Sequence, residues 1–227
     1  MKNNNEKIKE VSGSYPAYRL VIFDVDGTLV DSFPFFVQML NQYASKYQYH
    51  VLNESRLEAL RAFPPRQIRR ELGLSRWQAI RLAIDCKREM QKTTEIPEMF
   101  WGMGALIKDL KALGCRLAIV TSNSIENCRT SLGAEHFALF DWIESNASIY
   151  GKQRRIKKVL GLAQCEPTQA IYIGDQIADV ESAHHLNMHV AAVTWGFNNT
   201  KALMEAKPTY LCQNIEELVN CLVAEIN

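Results

Sequence analysis

Three short apolar runs in this 227-residue chain each lead directly into polar residues that can do chemistry. The runs lie in 19–24, 116–121 and 170–175. The polar residues are, in chain order, Asp24 and Asp26; Thr121, Ser122 and Asn123; and Asp175 and Asp179. Runs of four or five apolar residues without alternation are typical of strands buried in a parallel sheet, and ligands bind beyond the carboxyl ends of such strands. We therefore expect these side chains to meet at one edge of a sheet.

The carboxylates of this set indicate a cation site. Three or four carboxylates at one edge would repel one another unless a cation lay among them. Because all the candidate ligands are oxygens, a hard ion such as Mg²⁺ is favoured, with water and substrate phosphate completing its coordination.

A lysine adds the means to bind phosphate. Lys152 follows Gly151 and opens the helix that precedes the third run. Together with Thr121 and nearby backbone amides, it can hold phosphoryl oxygens and offset the carboxylate charge. Carboxylates, a divalent cation, one threonine and one lysine at a single edge indicate phosphoryl transfer with an aspartate as nucleophile.

The elements that would position these residues alternate between strands and helices. Amphipathic helices are predicted at 105–113, 123–132 and 153–162, and further strands at 190–193 and 210–212. This alternation predicts an α/β fold with an open parallel sheet and right-handed crossovers.

The interval between the first two strands is too long for one crossover. Asp24 and Thr121 are 97 positions apart. Helical patterns fill the interval at 34–49, 53–62, 66–72 and 75–92, with breaks at Pro64-Pro65 and Gly73. We expect a flexible lead-in at 1–17, a core domain formed by 18–33 and 97–227, and an inserted helical domain at 34–96.

Composition excludes several classes of protein. Lys and Arg total 26 and Asp and Glu total 25, so the chain has no global basic field for nucleic acid. No apolar stretch approaches ~18 residues, so no membrane span is expected. The six cysteines form no CxxC pair and no zinc-finger spacing, and the chain start lacks the apolar run of a signal peptide. A cytoplasmic protein with reduced thiols is expected.

Four segments together resemble the motifs of a known family. Asp24-Val-Asp26-Gly-Thr-Leu-Val-Asp-Ser32 resembles the first motif of the haloacid dehalogenase superfamily in its phosphatase form. Thr121, Gly151-Lys152 and Gly174-Asp175-Gln-Ile-Ala-Asp179 resemble the second, third and fourth motifs, in the family's order. The resemblance covers about 18–222. It implies a Rossmann-like, doubly wound core, and the helical insert matches the C1-type cap of the phosphoglycolate-phosphatase-like branch.

The resemblance also implies a role for each motif residue. Asp24 would attack phosphorus and form an aspartyl-phosphate. Asp26 would protonate the leaving alcohol and then act as base for the hydrolytic water, which requires its pKa to be raised relative to Asp24. Thr121 and Lys152 would stabilise the phosphoryl group, with help from the Ser122 amide and from Asn123.

For the metal, the resemblance implies three ligands. Mg²⁺ would be bound by the Asp24 carboxylate, the Asp26 backbone carbonyl and the Asp175 carboxylate. Asp179 would reach the metal through water or orient Lys152, and we favour a place outside the direct ligands.

Two further residues bear on the substrate. Asp26 favours phosphate esters over halides, because a halide leaving group needs no proton. Arg66, at a helix start after two prolines, is a candidate clamp for an anionic substrate, and the alternative is a solvated helix face with Arg69 and Arg70.

The sequence therefore predicts a Mg²⁺-dependent phosphatase that acts on a small phosphorylated metabolite, as a monomer or homodimer. Two alternatives remain open. One is a phosphomutase resembling β-phosphoglucomutase, which would need its phospho-enzyme to outlast substrate exchange. The other is a binding protein that keeps the fold with a silent site.

Overall fold

Six parallel strands form the centre of the molecule. The structure is a computed structural model that describes residues 15–90, 96–145 and 151–224. The strands of this sheet are β2 (Leu20–Phe23), β3 (Arg116–Val120), β4 (Trp142–Glu144), β5 (Ala170–Gly174), β6 (His189–Val193) and β7 (Tyr210–Cys212). Their order across the sheet is β4-β3-β2-β5-β6-β7. Because the order reverses direction at β2, this strand lies where a doubly wound sheet opens its ligand crevice.

Helices cover both faces of this sheet. One face is packed by α5 (Met103–Ala112), α6 (Ile125–Phe137) and α10 (Ile215–Leu222), and the other by α7 (Lys152–Leu162), α8 (Ile177–His184) and α9 (Thr200–Glu205). Alternate strand residues face the two layers: Phe23 belongs to the first cluster and Ile22 to the second. Burial on both faces explains why these strands read as continuous apolar runs in the sequence.

The strand register brings the polar residues to one edge. Phe23 of β2 pairs with Ile119 of β3 on one side and with Ile173 of β5 on the other. The backbone N–H of Asp24 then donates to the Ile173 carbonyl at 2.9 Å. Residues that follow each strand by one or two positions are therefore neighbours, and the predicted convergence at the carboxyl edge is confirmed.

The long insert is helical, as the sequence predicts. It contains α1 (Phe33–Tyr47), α2 (Glu54–Arg61), α3 (Pro65–Glu71) and α4 (Arg76–Met90). The Asn53 side chain caps the start of α2 by accepting from the Arg56 N–H at 2.9 Å, and Pro65 opens α3 at a position where no N–H is needed. A separate cluster of buried residues, including Phe35, Leu60 and Leu82, gives this cap its own core. None of the described helices is long and apolar enough to span a bilayer.

The two chain crossings between cap and core run side by side. The Phe100 N–H donates to the Leu29 carbonyl at 2.9 Å, and the Asp31 N–H donates to the Glu98 carbonyl at 2.9 Å. The chain thus leaves and re-enters the core at one place, which allows the cap to be a single insert.

A second junction joins the cap to the loop at 194–199. The Asn198 side chain donates to the carbonyls of Arg61 at 2.7 Å and Phe63 at 3.1 Å, both at the end of α2. Its Oδ1 accepts from the Ile177 N–H at the start of α8, at 2.9 Å. Asn198 is buried, so these bonds replace water for groups of both domains.

Three features differ from, or lie outside, the sequence-based expectations. The edge strand β4 was not predicted, because three residues that include a charged Glu144 give no apolar run. β1 (Tyr15–Pro16) pairs with β8 (Val223–Ala224), so residues 15 and 16 of the predicted lead-in 1–17 are strand residues. Residues 1–14 of that lead-in and the predicted helix end at 91–92 lie outside the described residues.

Replacing Asn198 with alanine tests the buried junction. Asn198→Ala leaves the Phe63 carbonyl and the Ile177 N–H without their partner, at a cost of about 1–3 kcal/mol for each unsatisfied buried group. The Arg61 carbonyl loses one of its two donors and still accepts from the Asn199 N–H. We expect the free energy of unfolding in urea to fall by about 3 kcal/mol.

The control is Lys201→Ala, which removes an exposed side chain on α9 and is expected to change the free energy by less than about 0.5 kcal/mol. Equal stability of the two variants would contradict the importance of the junction.

Candidate active site

Lys152 lies between two carboxylates at the carboxyl edge of the sheet. Its Nζ is 2.6 Å from Asp24 Oδ2 and 2.5 Å from Asp179 Oδ1, and all three side chains are buried. Burial by itself would lower the pKa of Lys152, but the charges of Asp179 and Asp24 outweigh it and hold that pKa well above its usual value. The lysine is therefore a fixed positive charge beside Asp24.

Asp24 directly follows β2 and is held from two sides. Its Oδ1 accepts from the Val25 N–H at 2.8 Å, while Oδ2 accepts from Lys152. These two bonds fix the carboxylate at the strand end. A carboxylate held in this way loses little conformational freedom when it reacts.

Asp179 contacts both Lys152 and the start of α8. Its Oδ2 accepts from the Gln176 N–H at 3.0 Å in a capping box, so each of its oxygens has a donor. A Cβ at Gly174 would collide with this carboxyl, so the glycine that ends β5 allows Asp179 to approach the strand end.

Asp175 is completely buried and is held by two donors. Its Oδ1 accepts from the Thr28 hydroxyl at 2.9 Å, and its Oδ2 accepts from the Phe197 N–H at 2.6 Å. A side chain at Gly196 would collide with Asp175 and with the Gly27 carbonyl, so the loop can approach only as glycine. The first motif and the loop at 194–199 therefore both position Asp175.

Asp24, Asp175 and Asp179 together form a candidate metal site. One carboxylate oxygen from each lies within 4.8 Å of the others. Burial, followed by the charges of Asp179 and Asp24, raises the pKa of Asp175 well above its usual value, and burial raises the pKa of Asp179 to about 6. Lys152 pairs with two of these three carboxyl groups, and a buried set of oxygen ligands with this surplus of carboxyls fits a hard divalent cation.

Asp26 lies two residues beyond Asp24 and is half-buried. Burial and the neighbouring Asp24 carboxylate raise the pKa of Asp26 to about 6. Its Oδ2 accepts from Asn123 Nδ2 at 2.9 Å. A carboxyl whose pKa lies near neutrality is suited to give and take a proton.

The residues after β3 lie at the same edge of the sheet as Asp24 and Asp26. Thr121 is buried, and its hydroxyl oxygen accepts from the Asn123 N–H at 3.2 Å. Ser122 is exposed. Ser124 then caps α6 by accepting from the Asn127 N–H at 3.2 Å. The turn therefore presents both Thr121 and Asn123 at the strand ends.

Of the cap arginines, Arg66 is exposed at the start of α3. Another cap arginine, Arg61, contacts the core loop by donating to the carbonyls of Phe197 at 3.1 Å and Gly196 at 2.8 Å. Its guanidinium also lies over the Phe33 ring, 5.1 Å from the centroid. Sequence reasoning missed Arg61, because an arginine at the end of a polar helix has no distinguishing pattern.

The loop residue Trp195 has a packing role. Its Nε1 donates to the Thr28 carbonyl at 3.2 Å, and its ring makes an edge contact with Phe100 at a centroid distance of 6.1 Å. Thr28 and the Phe197 amide were also not singled out as supports of Asp175. Their signal in the sequence is limited to their neighbourhood, since Thr28 lies in the first motif and Phe197 in a Trp-Gly-Phe loop.

Comparisons with known proteins agree with this geometry. A model of the haloacid dehalogenase-like hydrolase family matches residues 21–193. A phosphoglycolate phosphatase from Synechococcus elongatus is 32% identical over 203 residues, which cover 89% of this chain and 96% of that protein.

Solved structures show the same architecture. A predicted phosphatase from Clostridium acetobutylicum has a TM-score of 0.74 at 26% identity, covering 90% of this chain and 97% of that chain. A haloacid dehalogenase-like family hydrolase from Streptococcus pneumoniae has the same fold, with a TM-score of 0.74 at 24% identity, covering 90% of this chain and 98% of that chain.

The carboxylate cluster predicts that binding of Mg²⁺ stabilises the protein. Mg²⁺ at about 100 times its Kd is expected to stabilise the folded state by about 2.7 kcal/mol, which raises Tm by about 5–10 °C for a chain of this size. Asp175→Asn is expected to remove this shift, because one charged oxygen ligand is lost.

Differential scanning fluorimetry with and without Mg²⁺ measures the Tm shift of the wild-type protein and of Asp175→Asn. Glu205→Gln, an exposed carboxylate on α9, is the control and is expected to keep the full shift. A Mg²⁺ shift of wild-type size in Asp175→Asn would show that the cluster does not hold the ion.

Proposed function

The chain belongs to the haloacid dehalogenase-like hydrolase family, and we propose that it is a Mg²⁺-dependent phosphatase that hydrolyses a small-molecule phosphate monoester through an aspartyl-phosphate. The observation that carries this proposal is the contact of Lys152 with both Asp24 and Asp179 at the strand ends, next to Asp175. Phosphoryl transfer to an aspartate requires a carboxylate nucleophile, a cationic group near the phosphoryl oxygens and carboxylates that can hold a metal ion. This cluster contains groups of each kind.

Asp24 is the proposed nucleophile. One of its carboxylate oxygens attacks phosphorus, the bond from phosphorus to the ester oxygen breaks, and the phosphoryl group stays on Asp24. Support comes from the two bonds that fix this carboxylate, from Val25 and Lys152. The ammonium of Lys152 and the hydroxyl of Thr121 stabilise the negative charge of the transferring group, with the Ser122 amide and Asn123 as further contacts.

Asp26 is the proposed proton donor and acceptor. It protonates the leaving alcohol in the first step, then takes a proton from the water that hydrolyses the aspartyl-phosphate. The raised pKa of Asp26, about 6, supports this role, because the group can exist in both protonation states near neutral pH.

We propose that the Asp24 and Asp175 carboxylates and the Asp26 backbone carbonyl hold Mg²⁺. When bound, the ion neutralises charge on the phosphoryl oxygens. Asp179 belongs to the same cluster, where its Oδ1 accepts from Lys152 and its Oδ2 from the Gln176 N–H. We propose that Asp179 orients Lys152 through the first of these contacts.

The proposed substrate is a small phosphorylated metabolite. Phosphoglycolate is the first compound to test, because the relative from Synechococcus elongatus bears the name of that phosphatase. Arg66 of the cap is the proposed contact for an anionic group of the substrate.

Removing the nucleophile tests the proposed function. Asp24→Asn is expected to reduce phosphate release from p-nitrophenyl phosphate and from phosphoglycolate at least about 10³-fold, since the covalent step is lost. Wild-type enzyme quenched in acid during turnover is expected to carry phosphate that hydroxylamine releases, as an acyl phosphate does. Glu205→Gln is the control with wild-type activity. Phosphate release that survives in Asp24→Asn would overturn the assignment.

Replacing Arg66 and measuring KM for phosphoglycolate tests whether this arginine binds the substrate. Arg66→Ala is expected to raise KM for phosphoglycolate about tenfold, because a guanidinium that binds an anion contributes about 1.4 kcal/mol or more. Arg70→Ala, an exposed arginine of the same helix, is the matched control. Equal effects of the two substitutions would assign Arg66 to a solvated helix face.

A further inference from the structure

The amide of Asn123 connects the proton-transfer residue to the helix behind it. Its Nδ2 donates to Asp26 Oδ2 at 2.9 Å, across 97 positions of sequence. A carboxyl held at one oxygen by a fixed donor keeps a fixed plane relative to the strand end. The orientation of Asp26 therefore depends on which end of the Asn123 amide faces it.

A primary amide can present either its NH₂ or its oxygen, because the two orientations have nearly the same shape. At Asn123 the surroundings select one of them. The oxygen Oδ1 accepts from the Ser124 N–H at 2.8 Å and from Asn127 Nδ2 at 2.9 Å. Two donors face this oxygen, so the NH₂ must face Asp26.

One of these two donors is a side chain and can be replaced. Asn127 lies in the first turn of α6, where its backbone N–H donates to the Ser124 hydroxyl that caps the helix. Its side chain is therefore carried by a rigid helix start. Hydrogen bonds then run from Asn127 to Asn123 and from Asn123 to Asp26.

We propose that Asn127 is a positioning residue, which fixes the Asn123 amide so that it donates to Asp26 and aims the Asp26 carboxyl at the leaving oxygen of the substrate. This inference rests on the proposed function, since it concerns the step in which Asp26 protonates the leaving alcohol. In that step the ester bond to phosphorus breaks, its electron pair stays on the leaving oxygen, and the proton of Asp26 joins that oxygen.

Such a role has a consequence that depends on the leaving group. An alkoxide is a poor leaving group and needs the proton, whereas p-nitrophenolate is stable enough to leave without it. A displaced Asp26 therefore slows alkyl phosphates more than p-nitrophenyl phosphate. The ratio of the two kcat/KM values reports this step, because kcat/KM includes the steps up to leaving-group release and excludes hydrolysis of the aspartyl-phosphate.

Two substitutions perturb the amide in different ways. Asn127→Leu removes the donor to Asn123. Asn127→Asp places a carboxylate oxygen opposite Asn123 Oδ1, which favours the reversed amide, with its NH₂ turned towards position 127 and its oxygen towards Asp26. An acidic residue in the first turn also suits the helix dipole, so Asn127→Asp is expected to keep the wild-type Tm within a few degrees.

The experiment compares kcat/KM for phosphoglycolate and for p-nitrophenyl phosphate in wild type, both variants and Glu126→Gln, with Tm measured for each. Glu126→Gln alters one charge in the same helical turn and is expected to keep the wild-type ratio. In both Asn127 variants we expect the ratio of alkyl to aryl kcat/KM to fall about tenfold or more, as a part of the 10²–10⁴-fold contribution of a general acid. Phosphoglycolate carries a carboxylate in addition to its phosphate group, so the added charge of Asn127→Asp also weakens its binding more than that of p-nitrophenyl phosphate. Asn127→Leu adds no charge, so a fall of the ratio in that variant reports the lost donor to Asn123 alone.

A ratio within twofold of wild type in Asn127→Asp, with Tm preserved, would overturn the inference. An equal loss for both substrates would also overturn it, since that would mean a structural role only. Failure of the proposed function is a separate result, because wild-type protein would then release phosphate from neither ester.

Discussion

The buried charges at the carboxyl edge are the constraint on which the rest of the structure depends. Asp24, Asp175 and Asp179 lie within 4.8 Å of one another, and Lys152 supplies a single ammonium among them. Unpaired charges at such depth cost several kcal/mol each, so every supporting element must supply a donor or a cation. α7 begins at Lys152, α8 begins with the capping box of Asp179, and β2, β3 and β5 share the register that brings their ends level.

The loop at 194–199 extends this constraint to the cap. On one side, the Phe197 N–H binds Asp175, and Gly196 allows the loop to lie against that carboxyl. On the other side, Arg61 and Asn198 join the loop to the end of α2. This six-residue loop thus contacts both a candidate metal ligand and the cap, so the placement of the cap and the geometry of the carboxylate cluster depend on the same loop. A cap that excludes water strengthens the electrostatic interactions within the site.

Much of the fold follows from local sequence patterns. The continuous apolar runs predicted β2, β3 and β5 within one residue, because burial on both faces of a parallel sheet requires them. The helical insert was predicted from the long interval between the first two strands. β4 and the pair formed by β1 and β8 were not predicted, since strands of two or three residues depend on their neighbours rather than on their own pattern. Arg61 and Asn198 were missed for the same reason: what they do is set by partners about 135 positions away.

By itself, then, the sequence determined the α/β class, the inserted cap, and the set of chemical groups at the strand ends, because strand burial and motif spacing are local properties of the chain. Only the tertiary structure decided how those groups share their hydrogen bonds. It pairs Lys152 with both Asp24 and Asp179, gives Asp175 the Thr28 hydroxyl and the Phe197 amide, and turns the Asn123 amide towards Asp26. The physical reason is that a hydrogen bond forms over about 3 Å between atoms whose distance depends on the whole packed core, whereas sequence separation says nothing of that distance.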